Sequence, residues 1–131
     1  MGAHQMTYTP SESEIKFIQK THEHCAAFLF VCGSFLAGLQ AGLLAGKTAT
    51  GPRPMLGHLS QSNPEVNWVE KRWAHDGKIW TSGTLLNGLD MMKAFLEATW
   101  DSQEDDFVGM LLRMGGVPHR DVDYADVPWK M

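Results

Sequence analysis

An apolar run spans residues 26–31 and leads directly into Cys32-Gly33-Ser34. A run of this length is typical of a strand that is buried on both faces. Behind it, apolar residues recur at helical spacing, namely Phe35, Leu36, Leu39, Leu43 and Leu44. The pattern therefore predicts a buried strand, a sharp turn and a helix that ends at Gly46.

A helical pattern also precedes this strand. Ile15, Ile18, His22 and Cys25 recur on one face, with polar residues between them. The segment 9–12, Thr-Pro-Ser-Glu, is a suitable helix start, because proline is tolerated in the first turn and Ser or Thr can cap it. We predict an amphipathic helix here, with His22 and with His24 on its surface.

After Gly46 the pattern changes to short strands and turns. Residues 47–50 are a short strand candidate, and residues 51–65 read as a surface loop that can hold one helical turn. Residues 67–74 have strand character, and the turn at residues 75–78 leads into a second strand at residues 79–82. These two strands are predicted to pair as an antiparallel hairpin.

Two further helices complete the prediction. Ser82-Gly83-Thr84 can start a helix whose apolar face makes it a core helix. That face consists of Leu85, Leu86, Leu89, Met92, Phe95 and Leu96. A last helix runs through residues 107–112 to Gly115-Gly116. We predict one domain over residues 1–116 and an extended carboxyl-terminal tail over residues 117–131.

The position of Cys32 gives the chain its candidate chemistry. In open α/β sheets, nucleophiles and ligands lie just past the carboxyl ends of strands, where the next helix begins. A thiol there is favoured as thiolate, and the small neighbours Gly33 and Ser34 suit a tight turn around a nucleophile. The alternative interpretation is that Cys32 is a small core residue at a strand end, since free cysteine is often buried.

Composition excludes several classes of function. The 131 residues carry a formal net charge of −4 and no Lys/Arg cluster, so nucleic-acid binding is not expected. Two cysteines cannot form a disulfide framework, and we see no secretory leader and no membrane-spanning stretch. We expect a cytoplasmic protein that uses neither a metal nor another cofactor, with no partnership to nucleic acid or membrane.

Several motifs occur in a specific order. They are Phe30-Val31-Cys32-Gly33-Ser34, Ala41-Gly42-Leu43-Leu44 with Gly46-Lys47, Arg72-Trp73, Asp76-Gly77-Lys78-Ile79-Trp80-Thr81-Ser82-Gly83 and Gly88-Leu89-Asp90. Together they resemble the ThiJ/PfpI family of the class I glutamine amidotransferase-like superfamily, over about residues 2–99. The sequence of these motifs is most similar to that of the isonitrile hydratase-like branch.

This resemblance implies both a fold and a site. The fold is α/β, the carboxyl-terminal part of a flavodoxin-like three-layer sandwich with a β-hairpin, completed by a partner subunit or by a missing half. Cys32 corresponds to the elbow cysteine of the family. Most family members are dimeric, so a homodimer, or a complex with a chain that covers the missing half, is expected.

Two departures from the family bear on catalysis. Members begin with a βαβ half that carries an acidic residue beside the cysteine, and we expect this chain to lack that half, because Gly2-Ala3 falls where it ends. Many members also have a histidine where this chain has Gly51. His58 and His75 are the nearest histidines, but neither matches the motif position, and we interpret both as loop residues.

Two functions remain open at this point. In the first, Cys32 is the nucleophile of a hydrolase or hydratase that acts on a small carbonyl, amide or isonitrile substrate. The backbone N–H groups of Gly33 and Ser34 would then stabilise the charge that develops on the substrate. In the second, the chain is a non-catalytic ThiJ/PfpI-like subunit or scaffold without the acid and histidine partners.

Overall fold

The computed structural model describes residues 2–3, 9–100 and 107–128. Its helices are α1 (Glu12–His24), α2 (Phe35–Gln40), α3 (Leu56–Ser62), α4 (Asn87–Trp100) and α5 (Phe107–Met114). Its strands are β1 (Gly2–Ala3), β2 (Phe28–Cys32), β3 (Thr48–Ala49), β4 (Asn67–Trp68), β5 (Trp73–Asp76) and β6 (Ile79–Ser82). A 3₁₀ turn at Arg53–Met55 leads into α3.

The main sheet has the strand order β1-β2-β6-β5. β1, β2 and β6 run parallel, whereas β5 pairs antiparallel with β6 through the predicted hairpin. The two-residue loop starts at Gly77, whose φ of 61° is the positive value that such a turn requires. β3 and β4 form a separate parallel pair. The predicted α/β class and the hairpin are confirmed.

The side chains of the sheet alternate between two faces. Phe28 and Phe30 pair in register with Ile79 and Thr81, and this core face packs on α1 and α2. Phe30 is fully buried, and a Cβ on Gly38 of α2 would lie 2.7 Å from its ring. The sheet and α2 therefore approach so closely that residue 38 has to be glycine.

The opposite face of the sheet is covered by α4, and we call it the outer face. Trp80 of β6 meets Phe95 of α4 edge to face, with ring centroids 5.6 Å apart. A Cβ on Gly88 would lie 2.9 Å from Val31 Cγ1, so the amino end of α4 lies close against β2. Helix, sheet and helix thus form three layers.

The first helix begins as predicted, but the second is shorter. Ser11 and Glu14 form a reciprocal capping box at the start of α1. The prediction that the second helix continues to Gly46 is wrong, because α2 ends at Gln40. Gly42 adopts a φ of 73°, and the N–H groups of Gly42 and Leu43 donate to the carbonyls of Leu39 and Gly38. This Schellman arrangement closes the helix four residues early.

The segment between the two sheets also differs from the prediction. Residues 67–74 are not one strand: β4 pairs with β3, and β5 pairs with β6. The predicted loop at residues 51–65 contains the 3₁₀ turn and all of α3, which is more helix than expected. Burial explains this, because Leu59 and Val66 belong to the same buried apolar cluster as Ala49 and Phe35.

The largest correction concerns α4. The helix begins at Asn87 rather than at residues 82–84, and four of the six residues predicted as its core face, Leu85, Leu86, Leu89 and Met92, are exposed. Leu85, Leu86 and Leu89 are 73%, 62% and 57% exposed, whereas Asn87, Asp90 and Met91 are the buried ones. A polar network around Asn87 and Asp90 sets this orientation, as described below.

The carboxyl end of β2 has a paired strand on each side. Gly2 and Ala3 pair in parallel with Val31 and Cys32, and Val31 also pairs with Ser82 of β6. The strand that precedes Cys32 is therefore interior at its carboxyl end.

Candidate functional site

Cys32 stands at a strained turn between a strand and a helix. It is the last residue of β2, three residues before α2 begins, and its φ of 55° lies in the left-handed region. For a residue with a side chain this conformation costs about 1–3 kcal/mol, and such outliers cluster at active sites. We call this sharp strand-to-helix turn, residues 32–34, the elbow.

The two residues after Cys32 are buried and hydrogen-bonded. The Ser34 hydroxyl donates to the Val31 carbonyl at 2.9 Å, and the Ser34 N–H reaches the same oxygen at 3.3 Å. The carbonyls of Gly33 and Ser34 accept from the first turn of α2 at 3.1 Å each. Hydrogen bonds thus hold this turn to β2 on one side and to α2 on the other. A group that sought the Ser34 N–H would have to compete with Val31.

Two glycines lie at the same edge of the sheet. Gly83 follows β6, and the parallel pairing of Val31 with Ser82 brings it level with Cys32, on strands about 4.8 Å apart. A Cβ on Gly83 would lie 3.3 Å from the Gly51 carbonyl oxygen and 3.2 Å from the hydroxyl of Tyr124. Cys32, Gly83, Gly51 and Tyr124 therefore gather at one end of the molecule.

Sequence reasoning missed Tyr124. It is the other non-glycine residue of the described chain with a positive φ, at 61°. Its ring is held between two guanidinium groups, since Arg53 Cζ and Arg72 Cζ each lie 4.5 Å from the ring centroid. Burial raises the pKa of the Tyr124 hydroxyl, although Arg72 and Arg53 act in the opposite direction. An aromatic residue among the acidic residues Asp121, Asp123 and Asp126 was the one available signal.

The Tyr124 hydroxyl belongs to a polar network at the start of α4. It donates to Asn87 Oδ1 at 3.2 Å, and the same oxygen accepts from the Thr84 N–H and hydroxyl at 3.1 and 2.9 Å. Asn87 Nδ2 donates to Asp90 at 3.2 Å, and Asp90 faces Arg120 at 3.2 Å. Asn87 and Asp90 are buried, so this network orients α4.

Arg72 fastens the described part of the tail, residues 117–128, to this edge. It is 4% exposed, and its Nε donates to the Asp121 carbonyl at 2.7 Å. Its Nη2 reaches Asp126 at 2.5 Å, and its backbone N–H donates to Val122 at 2.9 Å. Beneath the tail lies a cavity of about 330 Å³. Its lining comprises Arg53, Pro54, Arg72, Thr84, Leu86, Asn87, Arg120, Tyr124 and Val127.

The other candidate residues take no part in the contacts described above. His58 is on α3, 3.4 Å from Ser62 Oγ, and His75 is on β5, stacked on Trp80 with ring centroids 4.0 Å apart. Both are exposed, but our interpretation of them as loop residues is wrong, because one lies in a helix and the other in a strand. Cys25 caps the end of α1, and its thiol donates to the His22 carbonyl at 3.6 Å.

Three further observations concern the described residues. The Ser82 hydroxyl is buried and has no hydrogen-bond partner within the described residues, one position before Gly83. Within the same ranges, no three His, Cys, Asp or Glu side chains converge so as to hold a metal ion. None of the described helices has the length and apolar character that crossing a bilayer requires.

No protein-family model matches the chain, and no curated protein matches its sequence. Solved structures do match. A ThiJ/PfpI family protein from Pseudomonas syringae superposes with a TM-score of 0.66 at 19% identity, over 85% of this chain and 44% of its own. Drosophila melanogaster DJ-1beta gives 0.64 at 16% identity, over 80% and 54% of the two chains.

A third match is a two-domain protein from Anabaena variabilis with DJ-1/ThiJ/PfpI-like and ferritin-like domains. It gives a TM-score of 0.55 at 23% identity, over 64% of this chain and 24% of its own. The likeness establishes the fold, which is part of the flavodoxin-like α/β fold of DJ-1/ThiJ/PfpI proteins. The chain spans between 24% and 54% of the length of these three solved chains.

Proposed function

We propose that the protein is a cysteine-dependent enzyme of ThiJ/PfpI type, with Cys32 as its nucleophile. The observation that carries the proposal is the left-handed backbone of Cys32, with a φ of 55° between β2 and α2. A cysteine that served only to fill space could adopt an unstrained conformation, so the strain favours a role for this side chain at the edge. The likeness of fold to ThiJ/PfpI and DJ-1 structures supports the same reading.

The proposed reaction is addition of the Cys32 thiolate to the electrophilic carbon of a small carbonyl, amide or isonitrile. The sulfur–carbon bond forms while the π electron pair moves onto the oxygen of the carbonyl or amide, or onto the nitrogen of the isonitrile, whose adduct then takes a proton from water at carbon. For a carbonyl or amide, the resulting oxyanion would accept from the Gly33 N–H. The Ser34 N–H, which already donates to Val31 at 3.3 Å, would be a shared second donor.

We also propose that the substrate is closest to those of the isonitrile hydratase-like branch. The support is the sequence of residues 41–46 and 76–83, which resembles that branch. The second of these stretches forms the β5–β6 hairpin and ends at Gly83, beside Cys32. Both cysteines are free, which agrees with the cytoplasmic location that we propose.

We further propose that the protein works as a homodimer or with a partner chain. α5 packs against α4, and the two helices expose Leu89, Met92, Met110 and Leu111 by 57%, 42%, 42% and 49%. Apolar side chains gathered in this way are typical of an interface. This α4–α5 apolar surface is the part of the described chain that a second subunit would cover.

Mass spectrometry after brief alkylation with iodoacetamide at neutral pH tests the nucleophile. We expect Cys32 to be modified before Cys25, which serves as the internal control in the same molecule. The variant Cys25→Ser should keep the fast labelling, and Cys32→Ser should lose it. Preferential labelling of Cys25 would overturn the assignment.

Activity assays test the reaction. Wild type, Cys32→Ser, His58→Ala and His75→Ala are compared on a panel of isonitriles, 2-oxoaldehydes and amides. Activity should vanish in Cys32→Ser, because a hydroxyl without an adjacent base is a far weaker nucleophile than a thiolate. It should change little in the histidine variants, since both histidines are exposed and neither matches the family's motif position. A non-catalytic subunit would be inactive throughout.

A further inference from the structure

The cavity beneath the tail has an unusual concentration of guanidinium groups. Arg53, Arg72 and Arg120 all line its volume of about 330 Å³. The side chains of Arg53 and Arg72 are only 11% and 5% exposed, so two of these cations are largely withdrawn from bulk water. Apolar walls complete the cavity, formed by Pro54, Leu86 and Val127.

Each guanidinium is held in place by one carboxylate partner. Arg53 donates from Nε and Nη2 to a single oxygen of Glu70, at 2.8 and 2.6 Å. Arg72 reaches Asp126 at 2.5 Å, and Arg120 lies 3.2 Å from Asp90. The partners of Arg53 and Arg72 are themselves 54% and 36% exposed, so they approach these arginines from the solvent side.

These ion pairs use only some of the N–H donors of the three guanidinium groups. A guanidinium has five N–H groups in a planar fork, and none of the three arginines uses more than two of its nitrogens in the side-chain contacts above. The paired carboxylates therefore fix the orientation of the forks without saturating them. Rigid donors of this kind match a carboxylate, which can accept two parallel N–H bonds from one fork.

The strained Tyr124 makes this arrangement more than a chance gathering of charges. Its left-handed backbone and its ring between Arg53 and Arg72 hold both guanidiniums beside the cavity. Its hydroxyl lies against Gly83, which is level with Cys32 on the adjacent strand. Tyr124 therefore connects the cavity with the end of the sheet that carries the elbow.

We propose that this cavity binds a small carboxylate, with the forks of Arg53, Arg72 and Arg120 as its donors. Combined with the proposed function, on which this step rests, the substrate of Cys32 is an electrophile that carries a carboxylate. The carboxylate would be anchored in the cavity while the electrophilic carbon approaches the Cys32 thiol. Pro54, Leu86 and Val127 would contact the apolar part of the molecule.

Isothermal titration calorimetry of the full chain with benzoate tests the cavity. Benzamide, of nearly the same shape but uncharged, is the matched ligand control. We expect benzoate to bind at least about tenfold more tightly than benzamide, and Arg53→Gln to remove about tenfold of that affinity. Lys47→Gln, which removes a cation paired with Asp76 outside this cavity, should bind benzoate like the wild type.

The outcomes separate this inference from the proposed function. Cys32→Ser should bind benzoate like the wild type, because the thiol takes no part in the cavity. Equal binding of benzoate and benzamide by the wild type would overturn the inference even if Arg53→Gln did not fold. An equal loss of affinity in Arg53→Gln and Lys47→Gln would also overturn it. Slow alkylation of Cys32 with normal benzoate binding would instead remove the proposed nucleophile and support the cavity as a carboxylate site.

Discussion

The two sides of the sheet differ in how completely their apolar side chains are buried. On the core face, Phe30, Phe35, Leu44 and Ile79 are at most 1% exposed and form one continuous apolar cluster with α1 and α2. Beyond the outer face, α4 and α5 cover the sheet but turn much of their own apolar surface outward. Trp100, Phe107 and Met114 there are 57%, 55% and 77% exposed.

The difference arises from buried polar side chains on α4. On α4 the positions that face inward are occupied by Asn87 and Asp90, whose hydrogen bonds reach the tail through Tyr124 and Arg120. Because these groups have to be buried with their partners, the helix is rotated and its leucines point outward. The core face is thus formed by buried apolar side chains, whereas the outer side combines a buried polar network with an exposed apolar surface.

The largest expected effect comes from the core face. Phe30→Ala removes a fully buried ring that packs against Gly38, so we expect a loss of about 3–5 kcal/mol in the free energy of unfolding. Leu85→Ala, at a position that is 73% exposed, should change it by less than about 0.5 kcal/mol. Urea denaturation followed by circular dichroism measures both. Similar losses in the two variants would erase the distinction between the faces.

The same contrast explains which elements could be predicted from the sequence. The strand before Cys32, the capped α1, the hairpin and α5 follow from local signals, namely apolar runs, Ser11 and Glu14, Gly77 and Gly116. The side that α4 turns to the interior does not follow from local signals, because its apolar residues form a clearer helical pattern than Asn87 and Asp90 do. Burial of Asn87 depends on Thr84, Tyr124 and Asp90, and no local pattern reports a contact with a residue 37 positions away.

The candidate site divides in the same way. Cys32 could be found because a thiol, a glycine and a serine at a strand end form a local signature. Tyr124 and the cavity could not, since Arg53, Arg72, Arg120 and Tyr124 are brought together only by the folded tail. Their ion pairs join residues up to 54 positions apart. The early end of α2 was missed because Gly42 and Gly46 were both acceptable helix stops.

Association tests the other half of the comparison. If the α4–α5 apolar surface is an interface, Leu89→Glu places a charge within it and should weaken self-association by more than about tenfold. Phe17→Glu is the matched control, since Phe17 is 70% exposed on α1, away from that surface. Sedimentation at micromolar concentration measures the mass of each variant. A wild-type chain that sediments as a compact monomer and melts sharply would contradict the prediction.

A smaller effect is expected at the elbow, where strain can be separated from loss of the side chain. Cys32→Gly and Cys32→Ala both remove the thiol, but only glycine adopts a φ of 55° without steric cost. We expect the glycine variant to be more stable than the alanine variant by about 1 kcal/mol, as measured by urea denaturation. At Cys25, where the backbone is extended with a φ of −85°, the order should be reversed.

The smallest effect concerns the attachment of the tail and depends on pH. The hydrogen bond from Arg72 is the largest of the causes that lower the pKa of Asp126 in the folded protein. A carboxyl group with a lowered folded pKa contributes stability above its unfolded pKa of about 3.9, and that stability is lost as the pH falls through the folded value. The wild type should therefore melt at a higher temperature than Asp126→Asn at pH 7, and the difference should shrink below about pH 4. Asp123→Asn is the control, because Asp123 and its partner Lys71 are 60% and 42% exposed and such a pair contributes little. If the two variants melt alike at pH 7, the tail is held by the contacts of Tyr124 and the backbone rather than by the Arg72–Asp126 pair.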